Sequence, residues 1–241
     1  MQVLRPVLAA LLFAILPMRA HAQESVDLAL VLAIDASNSV NADRWVLQMD
    51  GYTGAFQNKE VQKAIQSGPH QRIAVSMVHW GGPYQQHQVI PWTILSGVES
   101  AEAFAKTIAS TERWYRGNAT AIGNALNFSS ALLVSAPFTA LRKVIDISGD
   151  GAENVLWWLP RLARDRAIAQ GIVINGLPIV TLNEPFVDLY YREHIIGGPG
   201  AFLVVANEYA EFAAAIRQKL VLELSWNKNR EFVTRKYAAR R

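Results

Sequence analysis

The chain has 241 residues, 51% of them hydrophobic, with 23 basic against 20 acidic side chains and a net charge of +3. That length and apolar content suffice for one α/β domain with a full core. The near balance of charge leaves no footprint for nucleic acid. The absence of cysteine excludes disulfides and a lipid-modified N-terminal cysteine.

Residues 1–22 read as a secretory signal peptide. Arg5 lies near the start, an apolar stretch covers 7–16, and Ala20-His21-Ala22 precedes Gln23 as a cleavage site. The apolar stretch is too short to span a bilayer, which takes roughly 20 residues, and no later segment is long and apolar enough to do so. The mature protein is therefore expected to be exported and soluble, in the periplasm if the cell is Gram-negative. Residues 23–226 read as one domain and 227–241 as a basic tail. The tail carries Lys228, Arg230, Arg235, Lys236, Arg240 and Arg241, and either stays solvated or makes weak contact with an anionic surface.

The apolar run over residues 26–34 predicts a buried parallel strand. A helix is expected over 43–65, with Trp45, Val46, Met49, Tyr52, Phe56 and Val61 at helical spacing and Ser67-Gly68-Pro69 as its stop. Residues 72–80 and 87–95 read as a hairpin across Gly81-Gly82-Pro83, and Pro91 places the second of these strands at a sheet edge. Helices over 100–111 and 120–134 lead to a fourth strand over 141–148. A helix over 154–170, stopped by Gly171, precedes a fifth strand over 172–180. A short helix over 190–196, a turn at residues 197–200, a sixth strand over 202–206 and a helix over 208–224 complete the chain. Such alternation predicts an α/β fold: a doubly wound, mainly parallel six-stranded sheet with one antiparallel edge strand and helices on both faces.

Three segments supply oxygen donors where strands end or helices begin. Asp35, Ser37 and Ser39 follow the first strand. Thr120 sits in the loop Gly117-Asn118-Ala119-Thr120 before a helix. Asp150 follows the fourth strand, in Ile147-Ser148-Gly149-Asp150-Gly151. Carboxylates and hydroxyls are hard donors suited to Mg²⁺ or Mn²⁺ rather than zinc. The alternative for the first triplet is helix capping, by Ser39 or by Asn41.

Taken together, D-x-S-x-S, the Thr loop and the D-G after a hydrophobic strand resemble the von Willebrand factor A domain with its metal-ion-dependent adhesion site, across about residues 26–224. The signal peptide, VIDISGDG at 144–151 and IIGGPGAF at 195–202 further resemble a bacterial exported subgroup, domain-of-unknown-function family 1194. The resemblance implies a Rossmann-like sheet and a Mg²⁺ or Mn²⁺ ion held by Asp35, Ser37, Ser39, Thr120 and Asp150. It also implies a protein partner that supplies a Glu or Asp carboxylate to the metal. Three positions depart from the pattern: Asn118 where many relatives have Gly, Gly149 where a hydroxyl residue is common, and Glu153 as a competitor for the metal.

The expected function is thus a metal-dependent binding module and not an enzyme. A Mg²⁺-assisted hydrolase at the same edge is a second reading, for which the sequence offers no clear nucleophile or base. His70, His79, His87 and His194 lack H-E-x-x-H spacing, and Ser37 is in no G-x-S-x-G elbow. A metal-free scaffold is a third reading. It would use the aromatic residues Trp114, Tyr115, Trp157 and Trp158, which either ring the metal edge or pack in the core, or the basic tail.

Overall fold

The computed structural model describes residues 24–114 and 117–226. The expected signal peptide, the basic tail and Tyr115 lie outside the described residues. The strands are β1 (Ser25–Asp35), β2 (Ile73–Trp80), β3 (Gln86–Leu95), β4 (Thr139–Gly149) and β5 (Ile172–Pro178). The helices are α1 (Ala42–Gln57), α2 (Lys59–Ile65), α3 (Val98–Ser110), α4 (Ile122–Val134), α5 (Leu159–Ala169), α6 (Val187–Tyr190) and α7 (Phe212–Leu224). A π-helical turn, Tyr191–Ile195, follows α6, and a 3-10 turn, Tyr209–Glu211, precedes α7. Among the described residues no helix is long and apolar enough to cross a membrane.

The strands form one sheet in the order β3-β2-β1-β4-β5. Only β2–β3 is antiparallel. The central strand β1 is buried from Val26 to Asp35, so its residues serve both faces in alternation. Leu28, Leu30, Leu32 and Ile34 join Tyr52 and Phe56 of α1, Phe104 and Ile108 of α3, and Phe212 and Ile216 of α7. Ala29, Val31 and Ala33 join Ile122 and Leu126 of α4, Ala163 and Ala167 of α5, and Tyr191. Helices thus cover both faces, as the alternation predicts.

Four elements differ from the sequence reading. The expected helix over 43–65 breaks at Asn58, which is extended (ψ 133°) and accepts a hydrogen bond from Glu60 N at 2.9 Å, so that it caps α2. The helix expected from 154 begins only at Leu159, because Glu153 and Asn154 are engaged elsewhere. The short helix expected over 190–196 is α-helical to Tyr190 and π-helical from Tyr191.

The expected sixth strand is absent, and the sheet has five. Residues 202–206 run along β5 but make only isolated bridges, Gly176 to Leu203 and Ile179 to Ala206. Two features interrupt the ladder. Pro178 has no N–H to give, and the Asn175 side chain takes the Phe202 N–H at 2.8 Å.

A buried ionic contact joins α7 to the sheet. Lys219 Nζ lies 2.6 Å from Asp146 Oδ2 and 3.9 Å from Glu223 Oε2, with no exposed surface on any of the three side chains. Burial pushes both carboxyls up, and Lys219 pulls each back.

Candidate metal centre

From β1 the chain moves to β2 and β3 on one side, then returns to β4 and β5 on the other. The direction of winding therefore reverses between β1 and β4, where open α/β sheets bind ligands. β1 ends on Asp35 and β4 one residue short of Asp150, with Ile34 paired to Ser148. Adjacent strand ends thus bring the two carboxylates side by side.

Ser37 N donates to Asp35 Oδ1 at 2.8 Å and turns the loop back over the carboxylate. The Ser37 and Ser39 hydroxyls are 3.1 Å apart, and Ser39 Oγ donates to Asp150 Oδ1 at 2.6 Å. Thr120 is clamped at its backbone by Asn154: Thr120 N donates to Asn154 Oδ1 at 2.8 Å, and Asn154 N donates to Thr120 O at 3.1 Å. Ser37, Ser39, Thr120 and Asp150 line one cleft of about 450 Å³, with Asp35 fully buried behind them. All five predicted site residues are therefore brought together.

The capping alternative is settled in favour of Asn41. Its side chain accepts from Arg44 N at 2.9 Å and starts α1, so neither Ser37 nor Ser39 is spent on that helix. Glu153 is tied to backbone amides. Its Oε2 accepts from Gly123 N at 3.0 Å and its Oε1 from Val155 N and Leu156 N at 3.1 Å each, which ties the loop after Asp150 to the start of α4. Asn118, in the position that departs from the pattern, accepts from Asn38 Nδ2 at 2.8 Å and joins the first and second loops.

Four residues that the sequence reading missed shape the site. Arg44 Nη1 donates to Ser39 O at 2.8 Å and to Asp150 Oδ2 at 3.2 Å, and the Tyr209 hydroxyl donates to the same Oδ2 at 2.9 Å. The Arg44 guanidinium also stacks over the Tyr209 ring, 4.9 Å from its centre. Arg113 donates to the carbonyls of Ala36 and Ser37 and lies over the Trp45 ring, which pins the Asp35–Ser39 loop from outside. Asn154 is the fourth. One signal was available for Arg44: a cation in the first turn of a helix faces the positive end of the macrodipole and so needs another partner.

Asp35 carries the chemistry. Its Oδ2 is buried with no hydrogen-bond partner among the described residues. Burial, then the nearby charge of Asp150, pushes its carboxyl up to about 7. Two carboxylates on adjacent strand ends, with three hydroxyls on the loops around them, suit a small hard cation. The donor set fits Mg²⁺ or Mn²⁺.

The histidines take no part in this cleft. His79 is buried against the edge of Trp45 and held neutral, its imidazole pushed down to about 3 by burial and by Arg113. Trp114 stacks on His87, and Trp157 is 81% exposed. These tryptophans are surface groups rather than core, and none lines the cleft.

A mainly parallel sheet with this Asp-Ser-Ser triplet, this threonine and this Asp-Gly meeting at its switch point has the arrangement of a von Willebrand factor A-type domain. The chain belongs to the DUF1194 family, described as "Protein of unknown function (DUF1194)", which matches residues 25–228. No curated protein matches it. Among solved structures it is similar to proximal thread matrix protein 1 of the mussel byssus, in a form with a zinc-occupied metal-ion-dependent adhesion site. That likeness has 18% identity and a TM-score of 0.57, over 84% of this chain and 49% of that one. It is also similar to a von Willebrand factor type A protein of Catenulispora acidiphila (15% identity, TM-score 0.52, 83% and 43% covered). A third is the pilus adhesin SpaC of Lactobacillus rhamnosus GG (12%, 0.57, 88% and 31%). The chain spans about half the length of the mussel protein, and at these identities the likeness is one of fold.

Proposed function

We propose that this protein is an exported interaction module that binds a protein partner through a divalent cation, Mg²⁺ or Mn²⁺. Ser37, Ser39 and Thr120 supply neutral hydroxyl ligands. Asp35 and Asp150 supply the negative charge, directly or through metal-bound water. The cation offers its remaining position to a Glu or Asp carboxylate of the partner, which enters by the cleft. The observation that carries this reading is the meeting of three loops at one cleft, lined by Ser37, Ser39, Thr120 and Asp150, with Asp35 buried at the adjoining strand end. The mussel protein's zinc-occupied adhesion site supports a divalent cation in this fold. A binding role is favoured over a catalytic one because the Ser37 and Ser39 hydroxyls and the Asp150 carboxylate are tied to one another and to Arg44. The expected signal peptide supports export, and the byssus matrix protein and the pilus adhesin among the similar folds are in keeping with it.

The test is calorimetric titration of residues 23–241 with Mg²⁺ and Mn²⁺, beside the Asp35→Ala/Asp150→Ala variant. Saturable heat in the wild type that vanishes in a folded variant is the expected result, followed by EDTA-sensitive capture of a partner. A variant that binds cation as the wild type does would overturn the assignment.

A further inference from the structure

Among the described residues, two buried oxygens at this sheet edge have no hydrogen-bond partner: Asp35 Oδ2 and the hydroxyl of Tyr191. Neither side chain has exposed surface. One is an acceptor when ionised and the other a donor, and unpaired groups of either kind are costly to bury.

Both oxygens border the same small space, the one beside Gly149. A Cβ on Gly149 would lie 2.7 Å from the Tyr191 hydroxyl and 3.0 Å from Asp35 Oδ2. Glycine at this position therefore keeps open a gap that any other side chain would fill. A second glycine does the same for the ring: a Cβ on Gly176 of β5 would stand 3.0 Å from Tyr191 Cδ1. The phenol is seated by two glycines on neighbouring strands. It is delivered there by a π-helical turn, in which Ile196 N donates to Tyr191 O at 3.0 Å. Such wide turns are rare and recur at functional sites. A phenol is a donor at neutral pH.

We propose that Tyr191 is a positioning residue of the metal centre: its hydroxyl donates to Asp35 Oδ2, directly or through one water in the gap at Gly149, and sets the orientation of the ionised carboxylate. The proposal rests on the reading of this edge as a cation site. Ligands to metals are commonly held from behind by such a donor, and its loss typically costs 10–100-fold in metal affinity.

The experiment titrates Mn²⁺ into wild type, Tyr191→Phe, Gly149→Ala and the double variant by calorimetry, and measures thermal unfolding of each in EDTA. Tyr191→Phe removes one oxygen and no packing. Its metal-free melting temperature is expected to be unchanged or higher, while its Mn²⁺ affinity falls about tenfold. Gly149→Ala displaces the hydroxyl from Asp35, so it is expected to lose affinity alone but to cost distinctly less in the Tyr191→Phe background. Wild-type affinity in Tyr191→Phe, or losses that simply multiply in the double variant, would overturn the role of the hydroxyl and leave the cation site standing. A wild type that takes up no Mn²⁺ would overturn both.

Discussion

Replacing Asp35 with Asn tests the electrostatics of the centre without any metal. The unfolded chain releases the Asp35 proton near the ordinary 3.8, whereas the folded protein holds it to about 7. Between those values the native state binds more protons than the unfolded state, so metal-free stability falls as pH rises and levels off above about 7. From pH 5 to pH 8 the loss from this one group is roughly 3 kcal/mol, or about 5–10 °C in melting temperature for a domain of this size. Asn keeps the Oδ1 that accepts from Ser37 N at 2.8 Å and cannot ionise. Urea unfolding of both proteins in EDTA at pH 5, 6, 7 and 8 isolates the term, because Asp146, Glu223 and the surface groups titrate in both. Wild type is expected to lose about 3 kcal/mol more than Asp35→Asn across the series. In saturating Mg²⁺ that excess loss should shrink or reverse, since the cation selects the ionised carboxylate. Parallel pH profiles in EDTA would refute the claim that burial holds Asp35 protonated.

Arg44→Gln removes a cation that shares Asp150 with the metal. With the Arg44 side chain 32% exposed and therefore screened, Mn²⁺ affinity measured by calorimetry should rise roughly fivefold, about 1 kcal/mol. Asn41→Ala removes the cap of α1 and should cost about 1 kcal/mol of stability with metal affinity kept, while Ser39→Ala should do the reverse. Thermal melts and Mn²⁺ titrations of the two variants check that division of labour.

Most of the sheet was legible because a strand buried on both faces has to be apolar throughout, as β1 is from Leu28 to Ile34. The edge position of β3 was legible from Pro91, and the pairing with β2 indeed shifts register between Val75 and Val78, opposite that proline. Residues 202–206 misled for the same reason that β1 did not. Phe202, Val204 and Ala206 alternate inward as a strand would, but apolar alternation reports burial and not hydrogen bonding. Pro178 and Asn175, on the neighbouring strand, decide the ladder. At Asn58 a single polar residue inside an apolar helical pattern was a cap and not a surface position.

The five residues proposed as ligands could be read from the sequence because each sits in a local pattern at an element boundary. Arg113, Asn154 and Tyr209 could not, and Arg44 was signalled only as a cation in the first turn of a helix, with no partner named. Each reaches the site from an element whose approach is set by packing, Tyr209 across 59 residues to Asp150. The role of Gly149 was invisible for a different reason: what it does depends on a phenol 42 positions further along the chain.

The irregular margins of the sheet bear on how this protein behaves at high concentration. An open parallel sheet presents two rows of unpaired backbone groups, and either row is a template for a second copy to add a strand. Here one margin is spoiled by Pro91 and the shifted register beside it, and the other is overlaid by residues 202–206 through scattered bridges to β5. Neither offers a straight, vacant ladder. Self-association by strand exchange or fibril growth is therefore disfavoured by the same broken pairing that reduced the sheet from six strands to five.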